Sequence, residues 1–344
     1  MKMAPIIKLL VEKNIEVVVV HTGQHYDKNM SQNIIEDLQI KNPDYHLGSI
    51  KGSHAEQTAK IMISFEKICM EVYPGLVVVA GDVNSTLACA LVAVKLHIKV
   101  AHVESGLRSF DRSMPEEINR IATDHISDFL FTTEKSANEN LKKEGISNEK
   151  VFFVGNCMID SLLRFISVAK KKSPWHKYGF SGKDYILVTL HRPSNVDSIH
   201  DLKKIIDMIN EISNDIPILF PAHPRTKKNI DKFEIHTSKS VNIIDPLSYI
   251  EFLGLLSNAK LVLTDSGGIQ EETTMLKTPC VTLRENTERP VTVEQGTNIL
   301  AGTDPNFIIP IINNIMEGKN KKGLTPALWD GKSAERIADI ISKF

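Results

Sequence analysis

Carboxylates and arginines interleave over HVESGLRSFDRSMPEEINR, residues 102 to 120, where Glu104, Arg108, Arg112, Glu116, Glu117 and Arg120 follow one apolar run. A carboxylate within reach of a proton, with cations holding a phosphoryl leaving group, is what an elimination beside a phosphoester requires. The same residues also fit a salt-bridged, solvated helix start, so the stretch alone leaves both readings open. A second stretch, TDSGGIQEE (264 to 272), reads as a strand, a glycine pair and a helix. Ser266, Gly267 and Gly268 would present backbone N–H groups at a helix N-terminus, where orphan donors and the helix dipole favour a phosphate. Glu271 and Glu272 stand one turn in, where a carboxylate suits ribose hydroxyls; a helix start with an acidic first turn is the plainer alternative. The spacing is neither G-x-G-x-x-G nor a P-loop.

Other candidates are weak singly. Asp82 in AGDVNST and His191 in VTLHRPSN each follow a strand directly. An aspartate there is commonly an N-cap, and a histidine there is often a turn residue. His21, His25, His102 and His223 fall on the same strand ends, but no pair has the i, i+4 spacing with a glutamate that binds zinc, and no metal is expected. The four cysteines, Cys69, Cys89, Cys157 and Cys280, show no C-x-x-C spacing and read as buried thiols. TERP (287 to 290), with Arg284 before it, reads as a loop, and Lys2 as an ordinary terminal lysine.

The elements that must position these residues follow from periodicity. Short β-branched runs alternate with longer amphipathic stretches, the pattern of βα units and of a parallel sheet buried on both faces. The expected class is α/β. Strands are expected at 16 to 23, 75 to 82, 99 to 105, 128 to 134 and 150 to 156, then at 185 to 191, 217 to 223, 241 to 246, 260 to 268 and 279 to 285. Each runs into a polar or glycine-bearing turn, and ligands of open α/β sheets sit at such carboxyl ends. A length of 344 residues suits two domains. They are expected at 1 to 170 and 171 to 328, two Rossmann-like doubly wound halves facing a cleft, with 329 to 344 as a helix packing back on the first. MKMAPIIKLLVEKN already reads as a helix, whereas a Rossmann half opens with a strand. A missing first strand would leave an apolar trough in the sheet, and a true start upstream of Met1 is the favoured expectation.

A net charge of −1, with 42% apolar and 24% charged residues, gives no electrostatic reason for a nucleic-acid or membrane partner. No apolar run approaches the roughly 20 residues that span a bilayer, and a small ligand and a cytoplasmic location are expected.

KMAPIIK, HTGQH, AGDVNST, HVESGLRS, PEEINR, VGN, TLHRP, PAHPRT, LTDSGGIQEE and TERP together resemble the non-hydrolysing UDP-N-acetylglucosamine 2-epimerases in order and spacing, over nearly the whole chain. The resemblance implies the two-domain fold of B-type glycosyltransferases and a reversible inversion at C2, giving UDP-N-acetylmannosamine, with no cofactor. It implies elimination of UDP across C1 and C2, a 2-acetamidoglucal intermediate, and re-addition. By motif position it makes Asp82, Glu104 and Glu116 the acid–base carboxylates, His191 an essential histidine near the diphosphate, and Lys2 and Arg120 site cations. Ser266, Gly267 and Gly268 match the diphosphate turn, and Glu272 the ribose carboxylate. A second UDP-N-acetylglucosamine is implied as an activator, near Gln24 and His223, and a homodimer as the assembly.

Two departures stand out. The family's opening strand and its G-T-R-P-E turn are absent ahead of Lys2, which predicts either a mis-set start or impaired catalysis. Ser194 in HRPSN replaces a frequent glutamate. The competing expectations are a UDP-sugar-binding protein without catalysis, a hydrolysing epimerase and a glycosyltransferase of the same fold.

Overall fold

A computed structural model describes residues 1–23, 37, 38, 41–48, 50 and 52–344. The chain divides into two α/β units, Met1–Ser161 with Ala327–Phe344, and Leu162–Pro326. The division falls inside the helix Cys157–Lys172.

In the first unit, β3 (Leu76–Ala80), β4 (Lys99–Ser105), β5 (Phe129–Thr132) and β6 (Val151–Phe153) form a parallel sheet in that order. Helices cover both faces, as the unbroken apolar strands require. On one face lie Ile61 and Phe65 of the helix His54–Val72 and Ala88 and Val92 of the helix Asn84–Lys95. On the other lie Ile6 and Leu10 of the helix Met3–Glu12 and Ala334, Ile337 and Ala338 of the helix Ser333–Ile341. That last helix is capped by Asp160, whose carboxylate accepts from the amides of Ser333 (3.2 Å) and Ala334 (2.6 Å), two of its orphan donors. Trp329, 1% exposed, fixes the same segment by donating from Nε1 to the Thr133 carbonyl at 3.0 Å.

The strand expected over 16 to 23 is paired at only two residues: β1 (Val20–His21) lies parallel to β2 (Tyr45–His46). The ladder is short because the amide of Val19 donates to the Asp44 side chain, at 2.7 Å, in place of a backbone carbonyl. Among the described residues no strand pairs with β3 on the side away from β4. An apolar trough of about 300 Å³ lies there, lined by Val18 and Val20 on one side and by Val77, Val79, Phe65 and Cys69 on the other.

The second unit holds a six-stranded parallel sheet in the order β12 (Asn298–Leu300), β11 (Cys280–Thr282), β10 (Leu261–Thr264), β7 (Ile186–Thr189), β8 (Ile218–Pro221), β9 (Val241–Ile244). From β7 the chain winds outward through β8 and β9, then returns to the other side of β7 and winds outward through β10 to β12. Strand order thus reverses between β7 and β10, and a crevice at the carboxyl ends of such a pair is where doubly wound sheets take ligands. His191 leaves β7 and Ser266 leaves β10 at that point. The core beneath is made by Leu202, Ile205 and Ile209 of the helix Ile199–Ile212 and Ile308 and Ile312 of the helix Pro305–Met316. β2 and β12 lie outside the runs expected from sequence, and the remaining ten coincide with them, usually trimmed at both ends.

Candidate functional site

Four of the predicted residues meet at the carboxyl ends of β3 and β4 in the first unit. β3 and β4 are neighbours in register, and the Gly81 amide continues the ladder by donating to the Val103 carbonyl at 3.0 Å. Asp82 follows on one side and Glu104 stands on the other. Asp82 accepts from Arg120 Nη1 at 2.6 Å, and Glu104 pairs with the ammonium of Lys2. That ammonium also lies 3.0 Å from where a Cβ on Gly81 would be. Each carboxylate thus carries its own cation.

Glu104 is 5% exposed and adopts φ +70°, left-handed backbone that a non-glycine residue holds at a cost on the order of 1–3 kcal/mol. The ladder between β4 and β5 shifts register between Val103 and Ser105, around this residue. The bulge re-aims Glu104 out of the alternation of its strand. Gly106, at φ +77°, completes the turn; a Cβ there would lie 2.6 Å from the Ala137 carbonyl oxygen, so no larger residue fits.

The two glutamates of PEEINR diverge. Glu116, in the first turn of the helix Pro115–Ile126, is half-buried. Glu117 is 1% exposed; its carboxylate accepts from the amides of Ser109 (3.0 Å) and Phe110 (2.9 Å) and from Arg120 Nη2 (2.6 Å). Burial pushes the Glu117 carboxyl up, and these donors more than offset it, leaving its pKa below the ordinary value. Arg120, 2% exposed, therefore bridges a carboxylate that ties down the 109 to 111 loop and the carboxylate at the strand end.

In the second unit, His191, Ser266, Gly267, Gly268 and Glu272 gather at the β7/β10 reversal. His191 Nδ1 lies 2.8 Å from Asp265, and its side chain is 49% exposed. Asp265 is fully buried; it also accepts from the amides of His191 (3.1 Å) and Arg192 (2.9 Å) and from Asn195 Nδ2 (3.1 Å). Burial raises the Asp265 carboxyl and these donors overcome that, so it is held low and orients the imidazole. Asp265 was missed by the sequence reading, although an aspartate inside TDSGG immediately after an apolar strand is the available signal.

Ser266 is the N-cap of the helix Gly267–Leu276 and makes no side-chain capping bond. The amides of Gly267 and Gly268 open that helix, where no carbonyl precedes them in the helical ladder. Behind the turn lies a buried charge cluster. Arg289 Nε and Nη1 lie 2.8 and 2.7 Å from Glu271 and Glu288, Arg284 Nη2 lies 2.8 Å from Glu288, and Arg192 Nε donates to the Asp265 carbonyl at 3.1 Å. Burial acts to raise Glu288, and three guanidinium groups hold it far below the usual carboxylate range. TERP, read as a loop, is thus the scaffold of the glycine turn.

Glu272, 3% exposed, accepts from Tyr249 Oη at 3.0 Å. Burial raises its pKa from 4.5 to about 7, against the Tyr249 bond that lowers it and with Glu271 adding to the rise. His223 caps the helix Pro224–Lys232, its Nδ1 accepting from the Arg225 amide at 3.2 Å. Burial, then His191 and Arg225, lower its pKa. Gln24 lies outside the described residues. Among the described residues no cluster of three or more histidine, cysteine, aspartate or glutamate side chains could hold a metal, and no helix is long and apolar enough to cross a membrane.

Set against known proteins, residues 8–342 match the family described as UDP-N-acetylglucosamine 2-epimerase. The chain is 47% identical over 350 residues to the UDP-N-acetylglucosamine 2-epimerase of Methanocaldococcus jannaschii, covering 99% of this chain and 95% of that one. It is 40% identical over 339 residues to the UDP-2,3-diacetamido-2,3-dideoxy-D-glucuronate 2-epimerase of Pseudomonas aeruginosa, covering 97% and 94%. The crystal structure of the Methanocaldococcus jannaschii enzyme in complex with UDP-GlcNAc and UDP superposes with a TM-score of 0.93 at 46% identity, covering 100% of this chain and 96% of that one.

Proposed function

The chain belongs to the UDP-N-acetylglucosamine 2-epimerase family, and from that premise we propose how its residues invert C2 of UDP-N-acetylglucosamine to give UDP-N-acetylmannosamine. The second unit takes the UDP. Gly267 and Gly268 donate to the diphosphate, Ser266 caps it, His191 reaches it in the orientation set by Asp265, and Glu272 accepts from the ribose. The first unit carries the proton chemistry.

One carboxylate of the set Asp82, Glu104 and Glu116 takes the proton from C2 as the C1–O bond breaks and UDP departs with its electron pair. A 2-acetamidoglucal remains. A proton returns to the opposite face of C2, and a diphosphate oxygen attacks C1. The atoms balance without an oxidant or reductant. Two acid–base groups with separately fixed charges are what a two-faced proton exchange needs. The observation that carries the reading is the pairing of Asp82 with Arg120 and of Glu104 with Lys2 on adjacent strand ends.

Turnover of UDP-N-acetylglucosamine in heavy water should place deuterium at C2 of the product. Product without deuterium would refute elimination. UDP accumulating in step with a free sugar would instead mark hydrolysis. The Pseudomonas aeruginosa relative is named for a different sugar, so the two UDP-sugars should be compared directly; a preference in kcat/KM for the diacetamido-glucuronate would reassign the substrate. We further propose that the enzyme works in the cytoplasm as a homodimer, and that a second UDP-N-acetylglucosamine activates it near Gln24 and His223. Light scattering and the curvature of the rate against substrate test the last two.

A further inference from the structure

His102 lies on β4 between the two carboxylate-bearing turns and has no exposed surface. Its Nδ1 is 2.7 Å from Asp124 Oδ1 and its Nε2 is 2.8 Å from the Gly81 carbonyl. Both ring nitrogens thus face oxygen atoms. Asp124, on the helix that also bears Arg120, accepts from His102 on one oxygen; on the other it accepts from the Gly106 amide at 3.1 Å and faces Arg108 Nη1 at 2.7 Å. Arg108 in turn makes a two-point contact with Glu144, at 2.7 and 2.6 Å. Burial pushes the Asp124 carboxyl up, and His102 and Arg108 more than compensate, so it remains an anion. Toward the two carboxylate-bearing turns the contacts end on backbone, the carbonyl immediately before Asp82 and an amide two residues after Glu104, while Arg108 also donates to the Leu107 carbonyl at 2.7 Å.

We propose that His102 and Asp124 form a positioning pair that fixes the separation of the Asp82 and Glu104 turns. The proposal rests on the reading that these two carboxylates work on C2. Neither His102 nor Asp124 reaches substrate; they set where the acid–base groups stand. A β-strand end is otherwise free to splay, and the strained backbone at Glu104 needs surrounding structure to hold it. A shift of about 1 Å at such a site costs on the order of 100-fold in rate. The burden falls unevenly on the reaction. Elimination needs one well-placed group, whereas return of the proton to the other face needs both. When the pair is broken, more intermediate should escape before re-addition.

The test is therefore a ratio: free UDP plus 2-acetamidoglucal released per UDP-N-acetylmannosamine formed, measured for the full chain. This ratio is independent of how much enzyme is folded, so a merely structural role leaves it unchanged. His102→Gln should raise it at least tenfold, with KM within about threefold of the unaltered enzyme. Should that variant not fold, Glu144→Gln, on the 26% exposed far end of the chain of contacts, should shift the ratio about twofold in the same direction. A ratio unchanged in the folded variant, with only the rate reduced, overturns the positioning role. Absence of C2 exchange in the unaltered enzyme would sink the elimination reading and this proposal with it, whereas exchange with an unmoved ratio sinks the positioning pair alone.

Discussion

If Glu272 holds the ribose as proposed, nucleotide binding is expected to depend on pH. Burial raises its pKa from 4.5 to about 7, so the folded chain holds that proton more tightly than the unfolded chain. Between pH 4.5 and 7 the folded state therefore binds more protons, and stability falls as pH rises through that window. The gap corresponds to about 3 kcal/mol. Ribose hydroxyls donate to a carboxylate, so the nucleotide selects the ionised form and must expel the proton below pH 7. At pH 6 the ionised fraction is about one tenth, which weakens apparent affinity about tenfold relative to the plateau above pH 8.

UDP-N-acetylglucosamine is the ligand to use, because its diphosphate diester has no proton to lose in this range. Calorimetric titrations at pH 6 and pH 8, in buffers of different ionisation enthalpy, should show close to one proton released per ligand at pH 6 and close to none at pH 8. Glu272→Gln keeps the Tyr249 hydrogen bond and removes the titration. Its affinity should be flat with pH, and its stability relative to the unaltered protein should rise by about 3 kcal/mol between pH 5 and 8. Equal pH profiles for the two proteins, in binding and in denaturant unfolding, would refute the assignment of Glu272 to the nucleotide.

Three further outcomes are expected. Arg120→Gln leaves Glu117 buried without its cation and Asp82 unpaired; unfolding should lose about 3–5 kcal/mol, and kcat should fall about 100-fold with UDP affinity kept, by urea titration and steady-state kinetics. Gly267→Ala puts a Cβ 2.4 Å from Arg289 Nη1, a guanidinium that Glu271 and Glu288 prevent from moving away; UDP affinity should drop at least tenfold by calorimetry, about 1.4 kcal/mol. Trp329→Phe strands the Thr133 carbonyl and should cost about 1–3 kcal/mol, against about 3–5 kcal/mol for Trp329→Ala, both read from denaturant midpoints.

The sheets were legible because a parallel strand buried on both faces must be apolar at every position, and GLVVVAGD, KVAHVES or YILVTLH can hardly be anything else. β2 and β12 were not, since two or three residues carry no periodicity. β12, NIL, gains its place from the register with Cys280 to Thr282, which is a tertiary fact. The helix at Met3–Glu12 was legible as well, because its apolar residues recur at helical spacing and Ile6, Ile7 and Leu10 form the buried face.

Residues of the candidate site were more legible than the pairings among them. Asp82, Glu104, Ser266 and Glu272 sit at strand ends or helix starts, positions that sequence pattern locates. What decides their chemistry is the partner each one meets, and that partner comes from elsewhere in the chain. Arg120 reaches Asp82 across 38 residues, Asp265 reaches His191 across 74, and His102 joins Asp124 across 22. Spacing cannot encode such pairs, because each exists only once the elements that carry its two members have packed together. A low carboxyl at Asp265 and a high one at Glu272 arise seven residues apart, in the same turn and helix. One faces His191 and three further donors, whereas the other has a single tyrosine hydroxyl and a neighbouring anion. Opposite protonation tendencies within one short stretch mean that roles in this family must be argued from the partners of each carboxylate, and the glutamates of PEEINR, one half-buried and one clamped by Ser109, Phe110 and Arg120, present the same case.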